Sequence, residues 1–235
     1  MSFGLAFTLV SIAVMIISYL IGSVNFAIIF TNHYAHTDVR EHGSGNAGMT
    51  NVLRTAGKLP AILTFVCDFA KGAVAVLLGK YLAVPLIGYL TASDMSTVIN
   101  PIYFAYVAGL FCLLGHIYPV FFSFRGGKGV ASLAGLMMVI DWRVSTLAIA
   151  IFAILVLITK IVSISSVIAC GTGPFTAYLF YSSDVTYSFT LFGLDQRIFV
   201  TIFAGCFALL ILIKHIPNLK RLVKGEERKL KFGKK

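Results

Sequence analysis

The sequence predicts an all-α integral membrane protein with about seven transmembrane helices. Of its 235 residues, 58% are hydrophobic and only 12% are charged, whereas a soluble domain carries about 25% charged residues. The mean hydropathy of +0.92 is too high for a protein whose whole surface faces water. Several apolar stretches also approach the roughly 20 residues that a membrane-spanning helix requires. Lipid is therefore expected to be the solvent for much of the chain.

Seven apolar segments are candidates for these helices. The first has neither a basic amino-terminal region nor a small-residue cleavage site near its end, so it is predicted to be a retained span. The fourth and fifth are short, and they are predicted to be tilted, broken or buried among their neighbours. A further apolar stretch, 81–90, either extends the second helix or lies in the membrane interface. In chain order the seven are 3–30, 60–78, 102–122, 130–140, 146–159, 164–181 and 198–213.

Positive charge is distributed unevenly among the connecting segments. With the N-terminus outside, the inside loops and the tail hold 15 Lys and Arg residues, and the outside loops hold three. Because cytoplasmic loops are enriched in Lys and Arg, the N-terminus is predicted outside and the C-terminus in the cytoplasm. The chain is therefore divided into a transmembrane domain, 1–213, and a basic cytoplasmic segment, 214–235. The charge of that segment is expected to meet anionic lipid head groups in preference to nucleic acid.

The first inside loop, 43–58, is rich in glycine and in small hydrogen-bonding side chains. Glycines allow sharp turns and close approach of the backbone to a ligand, and an arginine offers a planar fork that suits phosphate. An ordinary polar turn explains the glycines but not this density of donors ending in an arginine. The candidate binding residues are Ser44, Gly45, Asn46, Thr50, Asn51 and Arg54.

The second inside loop places three glycines around one lysine where the fourth candidate helix begins. Backbone N–H groups at a helix start form an anion site. The segment is not a Walker A loop, because Phe122 stands where that motif needs its first glycine. The alternative is a flexible positive anchor, and a structural hydrogen bond is the commoner role for the nearby His116. The candidate phosphate-binding residues are Gly126, Gly127, Lys128 and Gly129.

Two further polar segments lie at the inner ends of predicted spans. Ser163 is one candidate, although a serine at a helix mouth often bonds only to its own helix. In the tail, His215, Asn218 and Arg221 recur every three residues and would share one helix face. A basic amphipathic tail lying on lipid would account for the lysines. It would not require His215 and Asn218 on the same face.

One pair of opposite charges, Asp68 and Lys71, lies inside the second predicted span. Unpaired charge is costly in a bilayer, so mutual pairing is the simplest interpretation, with a structural or supporting role. The four cysteines have no metal-ligand spacing and are expected to be packing residues.

At these residues the chain resembles the PlsY family, the bacterial acyl-phosphate:glycerol-3-phosphate acyltransferases. The first loop is similar to S-G-N-x-G-x-T-N-x-x-R, and the second is similar to G-H-x-x-P-x-F-x-x-F-(K/R)-G-G-K-G-V-A. The tail is similar to H-x-x-N-x-x-R-L-x-x-G-x-E, which places the final acid at Glu227. The motifs occur in the expected order over nearly the whole chain, and Met49 occupies a position where alanine is commoner.

The resemblance implies a seven-helix fold in a bacterial inner membrane, with the active site on the cytoplasmic side and completed by 214–235. It implies acyl phosphate and glycerol 3-phosphate as substrates, lysophosphatidic acid as product, and no metal, cofactor or acyl-CoA. Lys128, Ser163 and His215 suit the acyl phosphate. The residues that suit glycerol 3-phosphate are Arg54, Asn46, Thr50 and Asn218. The candidate catalytic residues are Lys128, His215, Asn218 and Ser163, and Arg221 and Glu227 join the binding residues.

Other chemistries fit the residues less well. No Ser–His–Asp or Cys–His arrangement is evident, so direct transfer is expected, with the proton passing either to His215 or to the donor phosphate. The alternative from another class is a membrane transporter of a phosphorylated small molecule, which would need polar residues inside several spans. A CDP-alcohol phosphotransferase would need an aspartate-rich metal motif, and the chain has no Asp cluster.

Overall fold

The computed structural model describes residues 1–181 and 194–230, and this part of the chain is helical without strands. The last residues of the predicted basic segment, 231–235, lie outside the described part. The α-helices are α1 Phe3–Ser23, α2 Phe26–Ala35, α3 Met49–Thr55, α4 Lys58–Thr91, α5 Ile102–Ile117, α6 Val130–Ile140, α7 Trp142–Thr159, α8 Val162–Gly171, α9 Gly173–Phe180 and α10 Gln196–Val223. Two 3₁₀ turns, Val39–Glu41 and Val120–Phe122, lie in the loops.

Six helical segments of the described chain are long and apolar enough to cross a membrane. The predicted all-helical membrane fold is therefore confirmed. α4 continues to Thr91, so the stretch 81–90 extends the second helix. Of the two short candidates, α7 has 18 residues, about 27 Å. α6 has only 11 residues, about 16 Å against a hydrocarbon core of about 30 Å.

The first span contains a break that the sequence did not predict. α1 ends at Ser23, and α2 begins at Phe26 with the Asn25 side chain accepting a hydrogen bond of 3.2 Å from Ile28 N. Val24 between them is extended, so its carbonyl is outside the helical pattern. Lys71 Nζ donates to this carbonyl at 2.6 Å. A buried lysine of α4 therefore satisfies the backbone where the span is interrupted.

The described chain divides into two compact units, of which the first contains residues 1–140. In this unit α1 packs on α4 and α5, and α4 also packs on α6. Glycines allow the close approaches: a methyl group on Gly22 would overlap the Cys112 carbonyl, and one on Gly135 would overlap the Phe69 carbonyl. Small residues at helix contacts are the usual means of tight packing in membranes, where the solvent gives no hydrophobic drive for helices to associate.

The second unit contains residues 141–181 and 195–230. Here α7 packs on α8 and α9, and both of these pack on α10. α10 has 28 residues and continues through Pro217 to Val223, well beyond the predicted end of the last span at Ile213. Gly225 then reverses the chain with φ of +73°, a conformation that favours glycine. The reversal returns Glu227 towards the end of α10.

Candidate active site

The first inside loop is built around the side chain of Asn51, which is buried on α3. Its Nδ2 donates to the carbonyls of Val39 and His42, each at 2.8 Å. Its Oδ1 accepts the Ser44 N–H at 2.9 Å. Both amide hydrogens and the oxygen are thus used by loop backbone. These bonds indicate that Asn51 shapes the loop, whereas the sequence had suggested that it binds substrate.

Beneath this loop lies a small buried apolar cluster that joins it to the membrane helices. Ala47 in the loop is completely buried, while Ser44 and Gly45 are exposed and Asn46 and Thr50 are half-buried. The loop therefore rests on an apolar floor with its hydrogen-bonding groups on the outer side. The cluster consists of Ala27, Ile28, Val39, Ala47, Val52 and Ala61.

An ion pair that the sequence did not predict joins the two inside loops. Arg40 NH2 lies 2.7 Å from Asp38 Oδ2, and NH1 donates to the Phe122 carbonyl at 2.8 Å. The bonded Arg40 guanidinium holds the pKa of the Asp38 carboxyl below its usual range. From sequence alone Arg40 is recognisable only as a positive charge on the inner side, because its carbonyl partner, Phe122, is 82 residues away.

The glycine loop, 126–129, is bound to the end of α5. Gly126 N–H donates to the Ile117 carbonyl and Gly127 N–H to the His116 carbonyl, both at 3.2 Å. These two N–H groups are therefore engaged by α5, in contrast to the expectation that they face an anion. Gly129 has φ of +86°, which favours glycine, and α6 begins directly after it. The half-buried Lys128 lies between the bound glycines and this helix start.

The first inside loop and the glycine loop meet at Gly127. A methyl group at this position would overlap both the Ala47 carbonyl and Nε2 of His116. No side chain larger than hydrogen fits there without moving backbone. The structure thus brings together, in the first unit, the two motifs that the sequence had separated by about 80 residues.

In the second unit, three candidate side chains converge on Glu227. Its Oε1 accepts from Ser163 Oγ at 2.8 Å and from Asn218 Nδ2 at 2.7 Å. Its Oε2 lies 2.9 Å from Arg221 Nε. Burial alone would raise the pKa of the Glu227 carboxyl, but the hydrogen bonds from Asn218, Ser163 and Arg221 together lower it below its usual range. Glu227 is thus an ionised anchor for the other three.

His215 lies one turn before Asn218 on α10 and is buried. Its Nδ1 is 2.8 Å from the Ile211 carbonyl. Because a carbonyl only accepts hydrogen bonds, Nδ1 carries a hydrogen, and in the neutral form of the ring the lone pair is on Nε2. In this tautomer, the ring nitrogen that can accept a proton is Nε2.

The last candidate residue, Arg54, is more exposed than His215 and Asn218. Arg54 is exposed near the end of α3.

Among residues 1–181 and 194–230, no group of three or more His, Cys, Asp or Glu side chains is placed to hold a metal ion.

Residues 12–225 match the sequence model of the family described as glycerol-3-phosphate acyltransferase. The chain belongs to this family. A glycerol-3-phosphate acyltransferase of Jannaschia sp. (strain CCS1) is 37% identical over 215 residues, which are 92% of this chain and 90% of that protein. One from Neisseria gonorrhoeae (strain NCCP11945) is 36% identical over 220 residues, 94% of this chain and 97% of that protein.

Two crystal structures of PlsY (YgiH), an integral membrane glycerol 3-phosphate acyltransferase, have the same fold. The glycerol 3-phosphate form aligns with a TM-score of 0.73 and 27% identity, covering 94% of this chain and 96% of that one. The lysophosphatidic acid form gives 0.71 and 26%, covering 94% and 95%. The chain is accordingly a multi-pass membrane acyltransferase acting on glycerol 3-phosphate, and the transporter alternative is not favoured.

Proposed function

We propose that the enzyme transfers a fatty acyl group from acyl phosphate to the 1-hydroxyl of glycerol 3-phosphate, giving lysophosphatidic acid. The observation that carries this proposal is the meeting of two inside loops at Gly127, one bearing Arg54 and the other Lys128. Both substrates carry phosphate, so the reaction needs two sets of cationic groups. The similar PlsY structures in glycerol 3-phosphate and lysophosphatidic acid forms support the acceptor and the product.

For the acyl phosphate, the proposed binding group is Lys128 together with the start of α6. An ammonium beside a helix N-terminus stabilises an anion through a charge-assisted bond and through the helix dipole. Gly126 and Gly127 contribute by packing against α5, which fixes the backbone before Lys128. Gly129 contributes the left-handed turn into the helix.

For glycerol 3-phosphate, the proposed binding residues are on the outer side of the first loop. Arg54 holds the phosphate as a planar two-point donor, and the exposed or half-buried loop side chains hold the rest of the molecule. Asn51 acts through the loop conformation, because its amide is already used. The loop residues with this role are Ser44, Gly45, Asn46 and Thr50.

In the second unit, Ser163 and Asn218 are proposed to contact substrate, with Glu227 and Arg221 holding them in position. Ser163 gives its hydrogen to Glu227, so the oxygen retains lone pairs that can accept from a substrate hydroxyl. Asn218 gives one amide hydrogen to the same carboxylate. The segment 214–235 is thereby proposed to contribute catalytic residues and not only membrane anchoring.

The proposed reaction is a direct displacement at the acyl carbon. The 1-hydroxyl oxygen forms the new C–O bond, the bond from the acyl carbon to the phosphate oxygen breaks, and inorganic phosphate leaves. The hydroxyl proton goes to Nε2 of His215 or to an oxygen of the departing phosphate. Lys128 stabilises the charge that develops on the leaving phosphate, and binding holds the reactants at attack distance.

The orientation of the protein in the membrane is also part of the proposal. The excess of Lys and Arg in the predicted inside loops and tail supports an external N-terminus and a cytoplasmic C-terminus. With that orientation, every candidate residue lies towards the cytoplasmic side of a bacterial inner membrane. The acyl chain of the donor remains in the bilayer or in a groove open to it.

The experiment is a defined assay of the purified protein with glycerol 3-phosphate and either acyl phosphate or acyl-CoA. We expect lysophosphatidic acid and one equivalent of inorganic phosphate from acyl phosphate, and no product from acyl-CoA. Activity is expected to persist with a chelator. Turnover with acyl-CoA alone would contradict the proposed donor, and loss of activity with chelator that magnesium restores would contradict the metal-free displacement.

A further inference from the structure

A buried line of polar side chains runs from α4 to the glycine loop and has no part in the reaction described above. It starts at Asp68 and Lys71, which are almost completely buried and lie 2.8 Å apart, Nζ to Oδ1. Lys71 also donates to the Val24 carbonyl at the break in the first span. Its ammonium is 5.6 Å from the ring centroid of Phe26. The pair on α4 thus also contacts the chain between α1 and α2 and the start of α2. Neutralising the two charges would not require these additional contacts.

The carboxylate of this pair also faces His116. Asp68 Oδ1 lies 3.6 Å from His116 Nδ1, and Ser132 Oγ on α6 lies 3.4 Å from the same nitrogen. Oδ1 is paired with Lys71, and a carboxylate oxygen has lone pairs for more than one donor. It therefore has capacity for a bond from an Nδ1–H. On this edge the imidazole therefore contacts residues of α4 and α6.

The opposite edge of the imidazole faces the glycine loop. Nε2 and Cε1 lie where a side chain of Gly127 would otherwise project. The backbone of the same histidine accepts the Gly127 N–H at 3.2 Å. His116 therefore contacts the residue directly before Lys128 through both its ring and its carbonyl, and it is itself 3% exposed.

We propose that His116 is a positioning residue for Lys128. Its ring is contacted at Nδ1 by Asp68 and Ser132 and lies directly beneath Gly127, and so fixes where the Lys128 ammonium meets the phosphate of the donor. The assignment of the donor to Lys128 rests on the proposed function. The contact between His116 and the loop does not depend on it.

The variant that tests this is His116→Asn. Asparagine keeps an amide near the Nδ1 position but is too short to fill the space beneath Gly127. Thr64→Val is the matched control, because Thr64 is also a buried polar residue of the membrane region, on α4. Within the described part of the chain its hydroxyl bonds to the Pro60 carbonyl of its own helix. His116→Gln, whose amide reaches the Nε2 position, is the conservative variant.

The first measurement is hydrogen exchange of amides 119–133 in the full-length protein in nanodiscs. We expect exchange roughly tenfold faster in His116→Asn than in the wild type, with wild-type rates in the control. Unchanged exchange would overturn the inference. This measurement needs no substrate, so an accelerated loop in a protein that fails to use acyl phosphate would refute the proposed donor and leave the role of His116 standing.

The second measurement is steady-state kinetics with acyl phosphate. His116→Asn is expected to raise the KM for acyl phosphate on the order of 10- to 100-fold, with a smaller change for glycerol 3-phosphate, and His116→Gln is expected to recover most of this. In a Lys128→Ala background the same substitution should cost less than about twofold more, because the group it positions is gone. If the effects of the two substitutions instead multiply in the double variant, His116 acts independently of Lys128.

If His116→Asn does not fold, Ser132→Ala is the alternative variant, because it removes the Ser132 contact at Nδ1 with a minimal change in volume. It is expected to show the same selectivity for acyl phosphate. Equal effects on the KM values of both substrates would refute the proposal.

Discussion

The Ser163 hydroxyl donates a hydrogen bond of 2.8 Å to Glu227, although 64 residues of sequence separate them. The bond depends on the chain reversal at Gly225, where the positive φ returns the segment after α10 towards α8. Asn218 and Arg221 bind the same carboxylate. One ionised group thus orients two side chains to which we assign contact with substrate.

Glu227→Gln is expected to lower activity by roughly tenfold or more. Glutamine has the same shape, but it loses the charge that strengthens the bonds from Ser163, Asn218 and Arg221, and charge-assisted bonds contribute about 1.5–3 kcal/mol. Lysophosphatidic acid formation by purified protein is the measurement. Glu226→Gln, at the adjacent exposed carboxylate, is the matched control and should retain activity.

The wild type and Glu227→Gln are also expected to differ in how their stability depends on pH. The pKa of Glu227 in the folded protein lies below its usual value of 4.5, so its contribution to stability is fully present above about pH 4.5. That contribution is lost as the pH falls through the lower folded-state pKa. The difference in unfolding temperature between wild type and Glu227→Gln should therefore be constant at neutral pH and shrink below pH 4.5. A difference that grows on acidification would contradict the pairing.

Lys128→Ala is expected to reduce turnover by roughly 10- to 150-fold without unfolding the protein. The loss of one charge-assisted bond to phosphate accounts for that range, and Lys128 is only half-buried, so its removal leaves no closed cavity. Lys58→Ala, at an exposed lysine of the same predicted membrane side, is the control. Near-normal rates at saturating substrate would remove Lys128 from the proposed donor site.

The membrane fold was predictable because lipid leaves the backbone few choices. In hydrocarbon each span must satisfy its own hydrogen bonds, so apolar length alone locates α1, α4, α5 and α10. The break at Val24 was not predictable, because the residue that satisfies it, Lys71, is 47 positions away. The motif residues were found by type and spacing. Their hydrogen-bond partners were not predictable, because the sequence is the same whether the N–H groups of Gly126 and Gly127 face an anion or α5.

Asn51→Asp is expected to destabilise the protein, because the two hydrogens that now bind the Val39 and His42 carbonyls would be replaced by an oxygen facing oxygens. Each buried carbonyl left unsatisfied costs about 1–3 kcal/mol. The measurement is thermal unfolding in detergent. Asn46→Asp, on the half-buried outer part of the same loop, is expected to unfold like the wild type while losing activity. Equal unfolding temperatures for all three proteins would show that Asn51 does not hold the loop.

Arg54→Lys is expected to impair the enzyme mainly through glycerol 3-phosphate. Lysine keeps the charge but loses the planar two-point contact with phosphate oxygens. The KM for glycerol 3-phosphate should rise by about tenfold, the equivalent of one charge-assisted bond of about 1.5 kcal/mol, while the KM for acyl phosphate changes little. Both substrates carry phosphate, so the ratio of the two effects identifies the one that Arg54 binds. A larger rise in the KM for acyl phosphate would assign Arg54 to the donor site, and Asn46 and Thr50 with it. Unchanged kinetics would mean that this exposed arginine serves only as positive charge on the inner side of the membrane.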